Sequence, residues 1–247
     1  QPPGASMQRQ RIGIVGAGPV GLVLALRLAT LGVPSIVTEA EAALSEELRA
    51  STFHPPTLDM LDTLGLAAPL VAQGLVTPTW QVRRHEDGAR AVFDLSVLAA
   101  DTAHPYRLQA EQLKLSRLVL AKLAAGHAGA VELRFAARVE QVAQDEDGVT
   151  LAGLGLDPLR VAYAVGCDGA RSLVRHAMGL GFPGDTYPET TILATTPFDF
   201  ATAMEGLSNV NYVWTGHPAF SGTFSLLRVP GLWRASLYPA PGESVDD

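Results

Sequence analysis

Four residues at fixed spacing carry the first chemical signal in this chain. Gly16, Gly18 and Gly21 follow the G-x-G-x-x-G pattern, and Glu39 stands 18 residues beyond the last of them. Each glycine omits a side chain where a pyrophosphate-binding turn has no room for one. Gly16 permits a tight turn, Gly18 lets a diphosphate approach the backbone, and Gly21 lets a helix lie close to a strand. A carboxylate at the distance of Glu39 accepts hydrogen bonds from a ribose hydroxyl, and its charge repels the 2′-phosphate of NADP. The pattern therefore points to retention of FAD or NAD through phosphates and one sugar.

The flanking residues supply the elements that must hold this turn. Ile12 to Val15 reads as a strand entering it. Leu22, Ala25, Leu26 and Ala29 recur at i, i+3, i+4, i+7, the stripe of a helix lying on a sheet. That helix aims its unpaired N–H groups and the positive end of its dipole at the phosphate. Gly32 and Pro34 end it, and a second strand, Ser35 to Thr38, delivers Glu39. Glycine-rich turns also occur without a ligand; strand, helix, second strand and acid together are the context that separates the two cases.

Bulk properties narrow the function. The chain has 247 residues, 47% hydrophobic and 17% charged, enough for a substantial core and too little charge for disorder. A net charge of −7 argues against a nucleic-acid partner, which needs clustered Lys and Arg. No apolar run reaches membrane-spanning length; Leu22 to Leu31 is short and interrupted by Arg27. Cys167 is the only cysteine, so no intramolecular disulfide forms and a cytoplasmic location is expected. Its neighbours suggest a small apolar filler rather than a reactive thiol. Gln1 to Ser6, ahead of Met7, reads as an unstructured extension. The six histidines show no i, i+4 pair and no cysteine partner, so no metal is expected. His54, His104 and His217 each precede a proline and read as turn residues. No Gly-x-Ser-x-Gly and no Ser/His/Asp set appears, so no catalytic side chain is expected.

Further along, Glu41 to Leu48 is polar and helix-prone. Pro55 and Pro56 suit a helix start, with Leu58, Leu61 and Leu64 on its apolar face and Gly65 at its end. Trp80–Arg84 and Arg90–Leu95 flank a Gly-containing turn and predict a hairpin. Tyr106 to Ala125 predicts a helix with Leu115, Leu118, Val119 and Leu123 on one face. Val131–Phe135, Arg138–Gln144 and Val149–Leu154 read as strands. A strand over Val161–Val165 runs into Gly166-Cys-Asp-Gly-Ala-Arg-Ser172, followed by a helix burying Leu173, Val174 and Ala177. Thr191–Thr195, Val210–Trp214, Thr223–Val229 and Trp233–Tyr238 return to strand. The fold class is α/β (α+β overall): a Rossmann-like nucleotide domain over 7–77 and 105–179, interleaved with a mainly antiparallel β-sheet domain over 78–104 and 180–247. Trp80, Phe93, Tyr212, Trp214, Phe224 and Trp233 lie on the β-rich segments, some as candidates for an apolar substrate wall and others as core.

Three motifs now line up: the glycine fingerprint with Glu39; Arg49-Ala-Ser-Thr-Phe-His-Pro-Pro-Thr-Leu-Asp-Met-Leu followed by Leu64-Gly65-Leu66; and Val165-Gly-Cys-Asp-Gly-Ala-Arg-Ser-Leu-Val-Arg175. Together, over Arg11 to Tyr238, they resemble the FAD-dependent aromatic hydroxylases, the monooxygenases related to p-hydroxybenzoate hydroxylase and the polyketide hydroxylases. The resemblance implies that Gly16, Gly18 and Pro19 line the FAD pyrophosphate and that Glu39 holds the adenosine ribose. Val20, Gly21 and Ala40, beside them, complete that part of the expected site. Arg49 matches an arginine on the FAD phosphates, and Gln109, in Tyr-Arg-Leu-Gln-Ala-Glu, a glutamine on the flavin side. Asp168 and Gly169 match the Asp-Gly motif serving the ribityl–pyrophosphate region and the encounter with NAD(P)H. Alone, Arg49 reads equally as a solvated charge, Asp168-Gly169 as a strand-to-turn dipeptide and Gln109 as a helix-start side chain.

The implied activity is hydroxylation of a phenolic or polyketide-like ring by O2, with FAD as cofactor, NAD(P)H as transient co-substrate and a flavin C4a-hydroperoxide as oxidant. Other classes on the same nucleotide fold are an NAD-linked dehydrogenase, a flavin-dependent reductase, or a non-catalytic FAD-binding module. The family's further flavin motif, Gly-Asp-Ala-Ala-His, does not occur in the sequence, so the chain is expected to be the N-terminal portion of a hydroxylase.

Overall fold

The computed structural model describes residues 11–48, 50–187, 190–216 and 222–238. The N-terminal extension, Arg49 and His217 lie outside the described residues. Along the chain run β1 (Ile12–Val15), α1 (Pro19–Thr30), β2 (Ser35–Thr38), β3 (Thr52–Phe53), α2 (Pro55–Asp62), α3 (Ala67–Val71), β4 (Leu75–Thr77), β5 (Thr79–Arg84) and β6 (Gly88–Asp94). Then come β7 (Arg107–Gln109), α4 (Gln112–Gly126), β8 (Val131–Arg134), β9 (Gln141–Asp145), β10 (Gly148–Gly153), β11 (Leu156–Val161), β12 (Tyr163–Gly166) and α5 (Leu173–Ala177). β13 (Ile192–Thr196), β14 (Val210–Trp214), β15 (Thr223–Val229) and β16 (Leu232–Leu237) follow. The chain divides into two compact units, residues 1–48 with 112–183 and residues 49–111 with 184–247.

The first unit is built on a parallel sheet of order β12-β1-β2-β8. α1 buries the predicted stripe, with Leu22, Ala25 and Leu26 fully inaccessible, and packs against α4. α4 contributes Leu115, Val119 and Leu123, while Leu118 is only half-buried. Gly32, at φ +72°, takes the left-handed conformation that ends α1. A small antiparallel sheet, β11-β10-β9, shares a core with the parallel one through Val15, Ile36, Leu151, Leu159 and Val161.

Three local expectations change in this unit. Residues 41–48 form no helix; only Leu44 and Leu48 are even half-buried, and the other side chains are exposed. The strand expected over 161–165 is two strands in different sheets, changing over at Ala162. β11 carries Pro158, which argues against a strand; it is tolerated on an edge strand beside a register shift. α5 has only five residues and one fully buried position, Val174, so Ala177 is exposed.

The second unit centres on a six-stranded sheet of order β13-β16-β15-β14-β5-β6, antiparallel except where β14 runs parallel to β5. Phe200, Met204 and Leu207 cover one face over Leu226, Trp233 and Ala235. A polar network is buried between β5 and β14. Asn211 accepts from the Gln81 amide at 2.6 Å and donates to the carbonyls of Ser208 (2.7 Å) and Leu226 (3.1 Å). α2 buries Leu58 and Leu61, as the sequence predicts.

A second, three-stranded sheet in this unit has order β3-β7-β4. Residues 107–109, expected as the start of a helix, are its central strand. Pairing with Thr52–Phe53 on one side and Leu75–Thr77 on the other overrides the helical pattern, and the helix begins only at Gln112. For the same reason residues 49–77 and 105–111, read from sequence with the nucleotide domain, fall within the second compact unit. Asn211→Ala takes the acceptor from the Ser208 N–H and one of two acceptors from the Gln81 amide, which keeps only the Gly206 carbonyl. It is expected to lower stability by about 2–4 kcal/mol in urea denaturation.

Candidate functional site

In the first unit, three strand ends are aligned. Val15 pairs in register with Gly166 of β12 and with Thr38 of β2. The residues that follow each strand therefore leave the same edge of the sheet, outside the carboxyl ends where open parallel sheets bind ligands. They are Gly16 to Gly18, Glu39 with Ala40, and Cys167 to Gly169.

The three fingerprint glycines have distinct physical reasons. Gly16 sits at φ +105°, and a Cβ on it would stand 2.5 Å from the carbonyl oxygen of Cys167. A Cβ on Gly21 would stand 2.0 Å from the carbonyl oxygen of Gly16, so α1 crosses the turn at backbone contact. A Cβ on Gly18 would meet nothing within 4 Å. Gly18 is the N-cap of α1, with Pro19 at the first helical position. Pro19 has no N–H to satisfy, and the amides of Val20 and Gly21 have no carbonyl one turn earlier to accept them. Open space in front of helix-terminal donors is what a diphosphate requires.

Glu39 is held from both sides. Its Oε2 accepts the Ala17 N–H at 2.8 Å and its Oε1 accepts the Glu41 N–H at 3.0 Å. Its backbone prolongs the β2–β8 pairing, donating to the Arg134 carbonyl and accepting from the Ala137 N–H, both at 2.8 Å. Each carboxylate oxygen keeps a lone pair, so two vicinal ribose hydroxyls can still be received. Ala40 is half-buried beside it.

Asp168 is more committed. Its Oδ1 accepts the Ser172 hydroxyl at 2.5 Å, and its Oδ2 accepts the N–H groups of Leu173 (2.7 Å) and Val174 (3.3 Å). Its first task is to fix the start of α5, leaving room for one further donor on Oδ1. Gly169 turns at φ +79° with open space around it. Burial, and then the Asp168 charge, pushes the Cys167 thiol pKa up, which disfavours a thiolate. These observations fit a dinucleotide: an open glycine at a helix start and a carboxylate with spare acceptor capacity.

Gln109 lies in the second unit, on β7, and is fully buried. Its Oε1 accepts the Thr52 hydroxyl at 3.1 Å, while its Nε2 has no partner. Ser51 Oγ, beside β3, and Arg107 Nε, two residues before Gln109, are likewise buried without partners. Several buried polar atoms without protein partners on neighbouring strands could bond a ligand or water. Sequence reasoning passed over Arg107, because a helical reading of 106–109 separates it from Gln109, whereas a strand sets both on one face. It also missed His104, which is nearly buried with its Nδ1 2.8 Å from the Asp59 carboxylate, 45 residues away. Of the six aromatics, Trp233 is core, donating to Asp199 at 3.1 Å. Among the described residues no group of three or more His, Cys, Asp or Glu could hold a metal ion, and no helix is long and apolar enough to cross a membrane.

Comparison with known proteins gives one consistent result. Residues 9–237 match the FAD binding domain family. Para-nitrophenol 4-monooxygenase of Pseudomonas sp. strain WBC-3 is 35% identical over 224 residues, covering 90% of this chain and 54% of that protein. The crystal structure of p-nitrophenol 4-monooxygenase from Pseudomonas putida DLL-E4 superposes with a TM-score of 0.87 at 32% identity, over 96% of this chain and 60% of that one. A ternary complex of aklavinone-11 hydroxylase with FAD and aklavinone has a TM-score of 0.77 at 27% identity, over 96% and 46%. The chain thus spans about half the length of the proteins it matches.

The glycines separate by experiment. Gly21→Ala would gain up to about 1 kcal/mol of helix propensity, but a backbone clash at 2.0 Å outweighs it. A net loss of about 1–3 kcal/mol is expected in urea denaturation, against about 0.5–1 kcal/mol for Gly18→Ala, where only the N-cap preference for Gly over Ala is lost.

Proposed function

The chain belongs to the FAD binding domain family, and on that footing we propose that it is part of a flavin-dependent monooxygenase that hydroxylates an aromatic ring, phenolic or polyketide-like. The observation that carries the reading is the convergence of the open Gly18 helix start and the half-used Glu39 carboxylate at one sheet edge.

The first unit is assigned to the ADP half of FAD. Backbone donors at Gly18, Val20 and Gly21 meet the pyrophosphate, Pro19 shapes the turn, and the Glu39 carboxylate takes the ribose hydroxyls while Ala40 flanks it. Arg49 offers a planar fork to phosphate oxygens. Asp168 orients the Gly169 turn and has one acceptor position for a cofactor hydroxyl. The Nε2 of Gln109 donates to the flavin side.

FAD held by these residues would supply the redox chemistry, passing two electrons from NAD(P)H to O2 so that one oxygen atom would enter the ring and the other would leave as water. No protein nucleophile takes part. The residues bind, orient and exclude water, and the β-sheet unit presents aromatic side chains to the substrate. Relatives whose names specify nitrophenol or aklavinone set the substrate class by analogy. A cytoplasmic location is proposed from the single cysteine of the sequence.

The purified protein is expected to carry flavin absorbance and to oxidise NAD(P)H faster when a phenol is added. Flavin binding without stimulated oxidation would assign a binding module instead, and absence of flavin would remove the reading. Glu39→Ala is expected to weaken FAD binding roughly 10- to 100-fold, by loss of hydroxyl–carboxylate bonds. Flavin fluorescence titration measures it.

A further inference from the structure

Side chains alternate along a strand, so Arg107 and Gln109 share one face of β7 while Leu108, fully buried, takes the other. The Arg107 guanidinium lies 4.6 Å from the Trp80 ring centroid. Trp80 stacks on Phe93 with centroids 4.0 Å apart and meets Tyr212 edge-on at 5.6 Å. Phe93 and Tyr212 remain 44% and 43% exposed, so this aromatic wall is open to a ligand. The Arg107 Nε–H is buried without an acceptor. Among the described residues no carboxylate pairs with the guanidinium. The imidazole pKa of His54 is lowered by burial and then by the Arg107 charge, which favours its neutral form. Burying part of a guanidinium with a donor unmet is costly. The missing partner is an acceptor, and the adjoining surface suits a flat ring.

We propose that Arg107 is a specificity-determining residue that orients the aromatic substrate by binding an anionic oxygen on its ring, with the ring beside the exposed Tyr212. This rests on the monooxygenase reading above and narrows it to acidic aromatics. A planar fork donates two parallel bonds to a carboxylate or one short bond to a phenolate, whereas a neutral ether oxygen brings no opposing charge and no second acceptor. The guanidinium neutralises the ring oxygen, and the Trp80 indole, held between Phe93 and Arg107, keeps the guanidinium in place.

The test uses the FAD-loaded protein and three probes of similar shape: 4-nitrophenol, 4-nitrobenzoate and the neutral 4-nitroanisole. Wild type is expected to bind one or both acidic probes roughly 10- to 100-fold more tightly than the ether. Arg107→Met should level that preference and leave FAD affinity unchanged. Arg107→Lys, which keeps the charge without the fork, should retain part of it, and it carries the test alone if the Met variant does not fold. The nitrophenol and nitrobenzoate arms tell a phenolate ligand from a carboxylate. No preference in wild type, an undiminished preference in the variants, or a parallel loss of FAD affinity would each overturn the assignment to substrate. Absence of flavin from wild type would instead overturn the monooxygenase reading itself.

Discussion

The hydrogen bond from the Ala17 amide to the Glu39 carboxylate ties the glycine turn to the second strand. It spans the turn after β1 and the end of β2, so the open helix start and the acid proposed to meet the dinucleotide are set at a fixed distance. That bond is possible because β1, β2 and β12 end in register. A one-residue slip would turn Glu39 to the other face of the sheet and dissolve the arrangement. The parallel pairing, the buried stripe of α1 and the backbone crossing at Gly21 all keep that register.

A division of labour among the glycines follows from the same geometry. Two of the three are needed because the protein packs against itself: Gly16 against Cys167 and Gly21 against Gly16. Only Gly18 faces empty space. Asp168 behaves like the first two, since most of its acceptor capacity goes to the start of α5. A sequence motif thus mixes residues that face a ligand with residues that hold the frame, and distances separate them where spacing does not.

Much of the first unit was legible from residues alone. β1, α1 and β2 obey local rules: a 3.6-residue stripe, a glycine stop, a β-branched run. The six-stranded sheet was legible for a similar reason, because turn residues bound its strands. What stayed hidden depended on partners far away in sequence. β7 has only three residues and exists because β3 and β4 flank it. Reading it as helix concealed the pairing of Arg107 with Gln109 on one face. β11 was masked by Pro158, which only an edge position excuses. The Asp59–His104 contact has no local signature at all.

The antiparallel β9–β11 sheet has an effect outside its own core. A Cβ on Gly155, in the turn between β10 and β11, would stand 2.2 Å from the carbonyl oxygen of Ala136. Ala136 itself adopts φ 51°, rare for a residue with a side chain. From that conformation its N–H reaches the Glu41 carbonyl at 2.9 Å, next to Ala137 on Glu39. The hairpin therefore buttresses the Glu39 segment from behind. Drift at Gly155, more than a hundred residues from the fingerprint, would reach Glu39 through backbone alone.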